Sequence, residues 1–233
     1  MIKTTQKKLA SFMRKLRRLR ALPRANSGVA MIEFAFTAPI VLALGMLGTE
    51  TAYYATTHMR VSQIAMQVAD NASRVGEQNV LVARRVFEDD INETFVGAEK
   101  LGEGIEIFEH GRVILSSLQQ NEDGGQWIQW QRCRGAKNHT SSFGNEGSGE
   151  FGTSFPGMGE SGKEITAATG TAVMFVEIVY DYQALTPFDY LDGDTLTYTA
   201  AFNIRDNRDL TQLYPSQSGA NTASCATFSA DRP

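Results

Sequence analysis

Two residues near the start of the chain, Gly28 and Glu33, have types and a spacing that could do chemistry. Glu33 follows Gly28 by five positions and is the one charged residue between Val29 and Thr49. A carboxylate inside a lipid-facing segment is costly, so such an acid marks a functional site by default. Glu33, and the glycine at the head of its apolar run, are therefore the first candidate functional residues.

Catalytic chemistry finds little support elsewhere in the sequence. The three histidines (His58, His110 and His139) are far apart and belong to no metal-spacing pattern. No nucleophile elbow, phosphate-binding loop or dinucleotide-binding glycine pattern occurs. Oxygen ligands in residues 121–124 and 192–194 could hold Ca²⁺, but both stretches are also ordinary turn sequences. The sequence predicts no catalytic site, no metal site and no cofactor.

The apolar run after Gly28 predicts a membrane-spanning helix. Residues 29–49 carry one charge in 21 positions, and as a helix they would span roughly 31 Å, close to the thickness of a bilayer's hydrocarbon core. Residues 1–28 carry nine Lys or Arg and no acidic residue. By the positive-inside rule this arm is cytoplasmic and the rest of the chain lies outside. A core helix behind a solvated basic tail is the alternative, and the length of the run disfavours it.

Charge and hydropathy divide the chain into three parts. We predict a basic cytoplasmic leader (1–28), a transmembrane helix (29–53) and an extracytoplasmic domain (54–233). Beyond the leader the chain holds 13 basic and 26 acidic residues, a net charge of −13. Such an acidic region is a poor candidate for binding nucleic acid.

A cleavage site could lie on either side of the apolar run. An ordinary secretory signal would be cut after the run, among the small residues of 49–55. That cut would discard Glu33 and leave its presence unexplained. A cut before the run, at Gly28, would keep the helix and Glu33 in the mature protein, and the sequence favours it.

Helical and strand periodicities follow one another beyond the apolar run. Apolar residues at steps of three and four predict that the membrane helix continues as an amphipathic helix to about Gly76. A second helix is predicted over roughly 79–95. Alternation then predicts a hairpin that turns at residues 110–111, and strands over 126–133, 172–182 and 195–205. The predicted fold class is α+β, with the long N-terminal helix packed on an antiparallel sheet.

Two further features belong to the predicted outer domain. Residues 134–163 form a long loop with eight glycines, for which we predict flexibility.

Cys133 and Cys225 lie where oxidation is permitted, and two cysteines allow one pairing. We predict a disulfide. Two free thiols or a metal pair are the alternatives, and the absence of CxxC spacing disfavours metal.

The N-terminal third resembles TadE-like pseudopilins of the tight-adherence (Flp) pilus system. The resemblance covers about residues 24–76 and rests on Gly28, on Glu33 within an E-F-A sequence, on the later proline Pro39, on the apolar run and on Glu50. It implies a precursor that a dedicated prepilin peptidase cuts after Gly28, so that Val29 becomes the mature N-terminus. Members of the family help to assemble or cap Flp pili and support adhesion and biofilm formation, and they are not known as catalysts.

The resemblance also implies a location and partners. The chain would sit in the bacterial inner membrane with a single span, its N-terminus cytoplasmic and its C-terminal domain periplasmic, and the cell-surface pilus is a second location. The implied partners are the prepilin peptidase, other Tad pilus subunits and the secretion machinery. The large domain after the helix favours a minor pseudopilin over the major subunit, and TadE, TadF and TadG types are not separated.

Glu33 has a physical role in this scheme, in assembly. Cleavage would give Val29 a free α-amine, and a carboxylate one helical turn away could pair with it in lipid, where each charge alone is costly. The competing hypothesis is an unprocessed single-pass membrane protein whose outer domain binds a ligand or scaffolds a complex. In that case Glu33 would face a partner helix in a bundle.

Overall fold

A computed structural model describes residues 27–76, 83–187 and 190–233. The predicted leader lies almost entirely outside these residues. The chain divides into two compact units between Glu50 and Thr51. Helix α1, Ser27–Arg74, begins in the first unit, runs through Pro39 and ends in the second.

The second half of α1 is amphipathic, as its periodicity predicts. Its apolar residues at steps of three and four are fully buried: Val61, Ile64, Ala65, Val68, Ala69 and Ala72. Arg208 closes the end of this helix by donating hydrogen bonds to the carbonyl oxygens of Ala72, at 3.0 Å, and Val75, at 2.7 Å. A cation at a helix C-terminus is favourable because the last carbonyls lack intrahelical donors. Burial lowers the pKa of Arg208 to about 10, so it stays charged at neutral pH.

Helix α2 spans Glu88–Gly102, and the prediction of its position was wrong at both ends. Residues 79–82 of the predicted helix lie outside the described part of the chain. Residues 84 and 87 instead form parallel bridges to residues 208 and 214. The helix begins with three acidic residues, a composition that favours a helix N-terminus.

Four antiparallel strands form one sheet in the order β2-β1-β3-β4. They are β1 Gly111–Gln120, β2 Gln126–Arg134, β3 Val173–Asp181 and β4 Thr195–Asn203. The α+β prediction is confirmed, and three of the four strands lie close to where alternation placed them. The predicted hairpin around residues 110–111 was wrong, because Ile105 ends a 3₁₀ turn, Glu103–Ile105, and β1 pairs instead with β2.

The two faces of the sheet are covered by different parts of the chain. On one face Leu115, Val176 and Ile178 belong to the same buried cluster as the apolar residues of α1 and α2. On the other face Phe175 packs with Met158, which comes from the long glycine-rich loop. The central strand β3 is therefore buried on both sides. The flexibility predicted for residues 134–163 stays a prediction.

The C-terminal tail after β4 is tied back to the sheet. Cys133 in β2 and Cys225 in the tail form a disulfide with an S–S distance of 2.01 Å. Beside it, the buried Arg112 donates hydrogen bonds to the carbonyl oxygens of Gly135, Cys225 and Thr227 at 2.7–3.0 Å. Covalent and hydrogen-bonded links thus hold a segment that has no helix or strand of its own among the described residues.

Candidate functional site: the exposed N-terminal helix

Gly28 and Val29 lie in the first described turn of α1. Gly28 is exposed, and a Cβ atom built on it would meet no heavy atom within 4 Å. Val29 is 56% exposed. The described residues therefore leave the Gly28–Val29 bond uncovered.

Glu33 is exposed on the next turn of the same helix. It follows Val29 by four positions, a spacing that places both side chains on one face. Among residues 27–76, 83–187 and 190–233, no salt bridge reaches its carboxylate. Its backbone carbonyl accepts a hydrogen bond of 2.9 Å from the Thr37 hydroxyl. The helix thus presents one carboxylate within a surface that is otherwise apolar.

The rest of this surface is large, apolar and exposed. Nine side chains are 56–76% exposed: Val29, Met31, Ile32, Phe34, Phe36, Ile40, Val41, Leu42 and Leu44. The described residues contain one helix long and apolar enough to cross a membrane, and none of its most apolar 18-residue stretch is buried. A helix that is apolar all round needs a membrane or a protein core around it. This is consistent with a single-pass anchor near the N-terminus.

A cluster of aromatic residues follows directly on the apolar run, and the sequence patterns did not predict it. Tyr54 stacks edge-on against Tyr182 and His58, with ring centroids 4.9 and 4.4 Å apart. Its hydroxyl donates to the Asp194 carboxylate, and this bond raises the pKa of Tyr54 to about 12. His58 Nδ1 lies 2.9 Å from the Tyr198 hydroxyl. The tyrosine pair at 53–54 was the available signal, because tyrosine is enriched at membrane–water interfaces.

One polar cluster in the outer domain has the residue types of a hydrolase but not the geometry. Glu177, buried on β3, accepts hydrogen bonds from the Ser141 hydroxyl and the Ser142 amide, and lies 3.0 Å from His139 Nε2. The Ser142 hydroxyl lies 3.5 Å from that same nitrogen. A catalytic relay needs the base and the orienting acid on different ring nitrogens. The cluster instead anchors the long loop on the sheet.

The predicted site residues therefore fall into two groups. Gly28, Val29 and Glu33 share the first two turns of α1 in the first unit. Cys133 and Cys225 are joined in the second unit. No group of three metal-ligating side chains comes together within the described ranges.

Part of the chain matches a known family. Residues 28–75 match the family model described as TadE-like protein, so the matching segment begins at Gly28 and ends one residue after α1. Neither the curated proteins nor the solved structures gave a match. The N-terminal part of the chain is thus similar to a family of structural, pilus-associated proteins that are not enzymes, and a Tad-pilus-associated membrane protein fits the match and the apolar helix together.

Proposed function

We propose that this chain is a minor pseudopilin of a Tad (Flp) pilus, made as a precursor and cut between Gly28 and Val29 by a prepilin peptidase. One observation carries the proposal. The TadE-like match begins at Gly28, the glycine directly before the exposed apolar run of α1. A cut at that position would remove the basic leader and leave the helix as the mature N-terminus.

The proposed topology is a single span of the inner membrane. The basic leader stays in the cytoplasm by the positive-inside rule, and the domain after the helix is periplasmic. The Cys133–Cys225 disulfide supports this side for the domain, because disulfides persist in the periplasm and are rare in the cytosol. The mature chain works from the membrane or within the fibre.

Glu33 is the proposed assembly residue. Four positions separate it from Val29, so the new α-amine and the carboxylate would share one face of the helix. Each charge is costly in lipid, and their pairing, within one helix or between neighbouring helices, offsets that cost. Only the cleaved chain has this amine. Processing would thus control whether subunits associate in the correct register.

The partners follow from this role. They are the prepilin peptidase, other Tad pilus subunits and the secretion machinery, and the cellular outcome is surface adhesion and biofilm formation. The chain would need no cofactor for this work. Residues 29–233, which comprise the helix and the outer domain, carry a net charge of −13. This negative charge disfavours nucleic acid as a ligand.

A complementation experiment tests the proposal. In a host strain that lacks this chain, Gly28→Glu should block cleavage and abolish pili, because a charged, bulky side chain replaces the small residue before the cut. Gly28→Ala is the matched control and should be cut and functional. Normal pili from a Gly28→Glu chain that keeps its leader would contradict the proposal and favour an unprocessed membrane protein with a binding or scaffolding domain.

A further inference from the structure

The connection between β3 and β4 is a hairpin loop that is closed at its base by hydrogen bonds. The amide of Tyr182 donates to the carbonyl of Asp194 at 2.8 Å. Farther out, the amide of Ala184 donates to the carboxylate of Asp192 at 2.9 Å. The described residues beyond this point, which we call the loop tip, are 185–187, 190 and 191.

The loop tip is anchored by one apolar side chain and exposes others. Leu191 packs against the buried cluster between the sheet and the helices. Leu185 and Tyr190 are instead each 57% exposed, and Pro187 is exposed as well. None of these three residues carries a charge. The chain thus holds a small uncharged surface, largely apolar, in a fixed place on the outer domain.

This place is beside the first residue of the second unit. The Tyr190 hydroxyl lies 3.3 Å from the Thr51 hydroxyl. The same end of α1 also holds the base of the loop, because Tyr54 donates to the Asp194 carboxylate and stacks edge-on against Tyr182. All of these residues belong to the second unit. The contact between the loop tip and Thr51 is therefore kept at any angle between the two units.

The covalent chain sets the depth of this contact in a membrane. Thr51 follows Thr49, the last residue of the apolar run, by two positions. Consecutive Cα atoms are about 3.8 Å apart, so Thr51 lies within about 8 Å of the end of the run. The headgroup layer on each side of the hydrocarbon core is about 5–8 Å thick. If the run fills the hydrocarbon core, Thr51 lies in that layer, and Tyr190 lies there with it.

The residue types of the loop tip suit this layer. Tyrosine is enriched there because its ring is apolar and its hydroxyl is polar, and Tyr190 combines an exposed ring with a hydroxyl held at Thr51. A stable protein–protein interface needs about 20–30 residues on each side. The loop tip exposes only a few side chains among its described residues, so its surface suits lipid better than a protein partner.

We propose that the loop tip inserts Leu185 and Tyr190 into the headgroup layer of the bilayer, as a second contact between this chain and the membrane. The inference rests on the single span in the proposed function and does not depend on cleavage at Gly28. A single span leaves the outer domain free to rotate about its entry point. A second contact beside Thr51 would restrict that rotation and hold the domain in one orientation on the membrane.

Fluorescence quenching by nitroxide-labelled lipids tests this inference. The full-length chain carries Leu185→Cys, labelled with the environment-sensitive dye NBD, in phosphatidylcholine vesicles. The native cysteines do not react, because they are joined in the disulfide. We expect a nitroxide at the lipid headgroup to quench the residue-185 probe strongly and iodide in the water to quench it weakly. Quenching by iodide alone would overturn the proposal.

The matched control is Phe151→Cys with the same dye. Phe151 is 79% exposed, and the amide of the next residue, Gly152, donates to Asp123 in the turn between β1 and β2. The loop tip follows the other end of the sheet, where Gly111 lies opposite Tyr180. We expect iodide to quench the control probe and the headgroup nitroxide to leave it unchanged. Equal lipid quenching of both probes would show non-specific adsorption of the dye and would overturn the proposal.

Substitutions of Tyr190 show whether the loop tip itself enters the lipid. Tyr190→Asp puts a charge on the exposed ring position, and the residue-185 probe should lose more than half of its lipid quenching. Tyr190→Trp is the matched variant and should keep it, because tryptophan also favours the interface. Lipid quenching that Tyr190→Asp leaves unchanged would mean that the dye alone enters the bilayer. Shielding from iodide that disappears when the chain is diluted in lipid would indicate contact between copies. Either result would overturn the proposal.

A probe in the apolar run separates this inference from the proposed function. Ile40→Cys carries the dye near the middle of the run, and we expect a nitroxide deep in the acyl chains to quench it. Quenching at residue 40 without lipid quenching at residue 185 contradicts the inference alone. A residue-40 probe that no nitroxide lipid quenches contradicts the proposed span, and the inference with it. Cleaved and uncleaved chains should behave alike, so a failure of processing at Gly28 leaves the inference in place.

Discussion

The disulfide between Cys133 and Cys225 supplies the most quantitative prediction. It joins residues 92 positions apart and fastens the tail to β2. Replacing both cysteines with alanine removes the link without creating a free thiol. We expect the double variant to fold, because Arg112 still holds the tail through the carbonyl oxygens of residues 225 and 227, and to be clearly less stable.

The size of the effect follows from the closed loop. In the chain-entropy model a loop of 92 residues stabilises the folded state by about 4.5 kcal/mol, since the link restricts the unfolded chain. Measured values are often smaller than this model gives. We therefore expect the free energy of unfolding to fall by about 3–4 kcal/mol, which is a large part of the stability of an ordinary domain.

Urea denaturation of the full-length protein in detergent measures this loss. Tryptophan fluorescence reports unfolding, because one of the two tryptophans, Trp130, is buried in the core. The midpoint should fall and the m-value should rise, because the unlinked chain exposes more surface when it unfolds. Wild-type protein under reducing conditions should behave like the double variant. A loss below about 1 kcal/mol with an unchanged m-value would refute the chain-entropy reasoning.

Three further predictions concern single side chains. The Glu33→Gln variant should insert and be cleaved normally but fail in pilus assembly. The Glu33→Lys variant should be worse, because it adds a second positive charge beside the amine. Wild-type numbers of pili from both variants, scored by electron microscopy, would exclude the assembly role. Arg208→Met should lower the free energy of unfolding by about 2–3 kcal/mol, since two carbonyls at the end of α1 lose a charged donor. A urea midpoint equal to that of the wild type would show that Arg208 does not stabilise the end of this helix. Hydrogen bonds from Ser218, Ser216 and the amide of residue 217 lower the pKa of Asp89 to about 2, below its value in the unfolded chain. Its stabilisation is therefore present above about pH 4 and is lost toward pH 2. Asp89→Asn should be less stable than wild type at about pH 6 and equal to it near pH 2, and a deficit that does not change with pH would show that another interaction is responsible.

Long, regular patterns were the predictable part of this fold. The apolar steps of α1 and the alternation along β2, β3 and β4 extend over many residues, so their period is unambiguous. The hairpin prediction around 110–111 rested on Ile105 and Ile107 before the turn and on Val113 and Leu115 after it. The second pair does lie in β1, whereas two alternating isoleucines are too short a pattern to distinguish a strand from a turn. Ile107 is buried because the end of α2 packs on it, and a Cβ on Gly102 would approach it to 2.4 Å. That contact is tertiary and leaves no local signal.

The start of α2 was mispredicted although the sequence contains a signal for it. Val82 and Val86 suggested an earlier start by their spacing, whereas the acidic residues 88–90 mark the true first turn. Val86 is buried beside segments that pair with the distant tail. The candidate site shows the same division. Gly28 and Glu33 could be found from the sequence because their chemistry is local. The contact of Tyr54 with Tyr182 could not be found, because it depends on how the helix packs against a distant part of the chain.

The N-terminus of the mature protein tests the central claim most directly. Membranes from host cells with an active prepilin peptidase supply the chain, and mass spectrometry of its N-terminal peptide identifies the first residue. The proposed function predicts Val29, with residues 1–28 absent and Glu33 retained. A chain that still begins at Met1, or one that begins beyond the apolar run near residues 49–55, would contradict it.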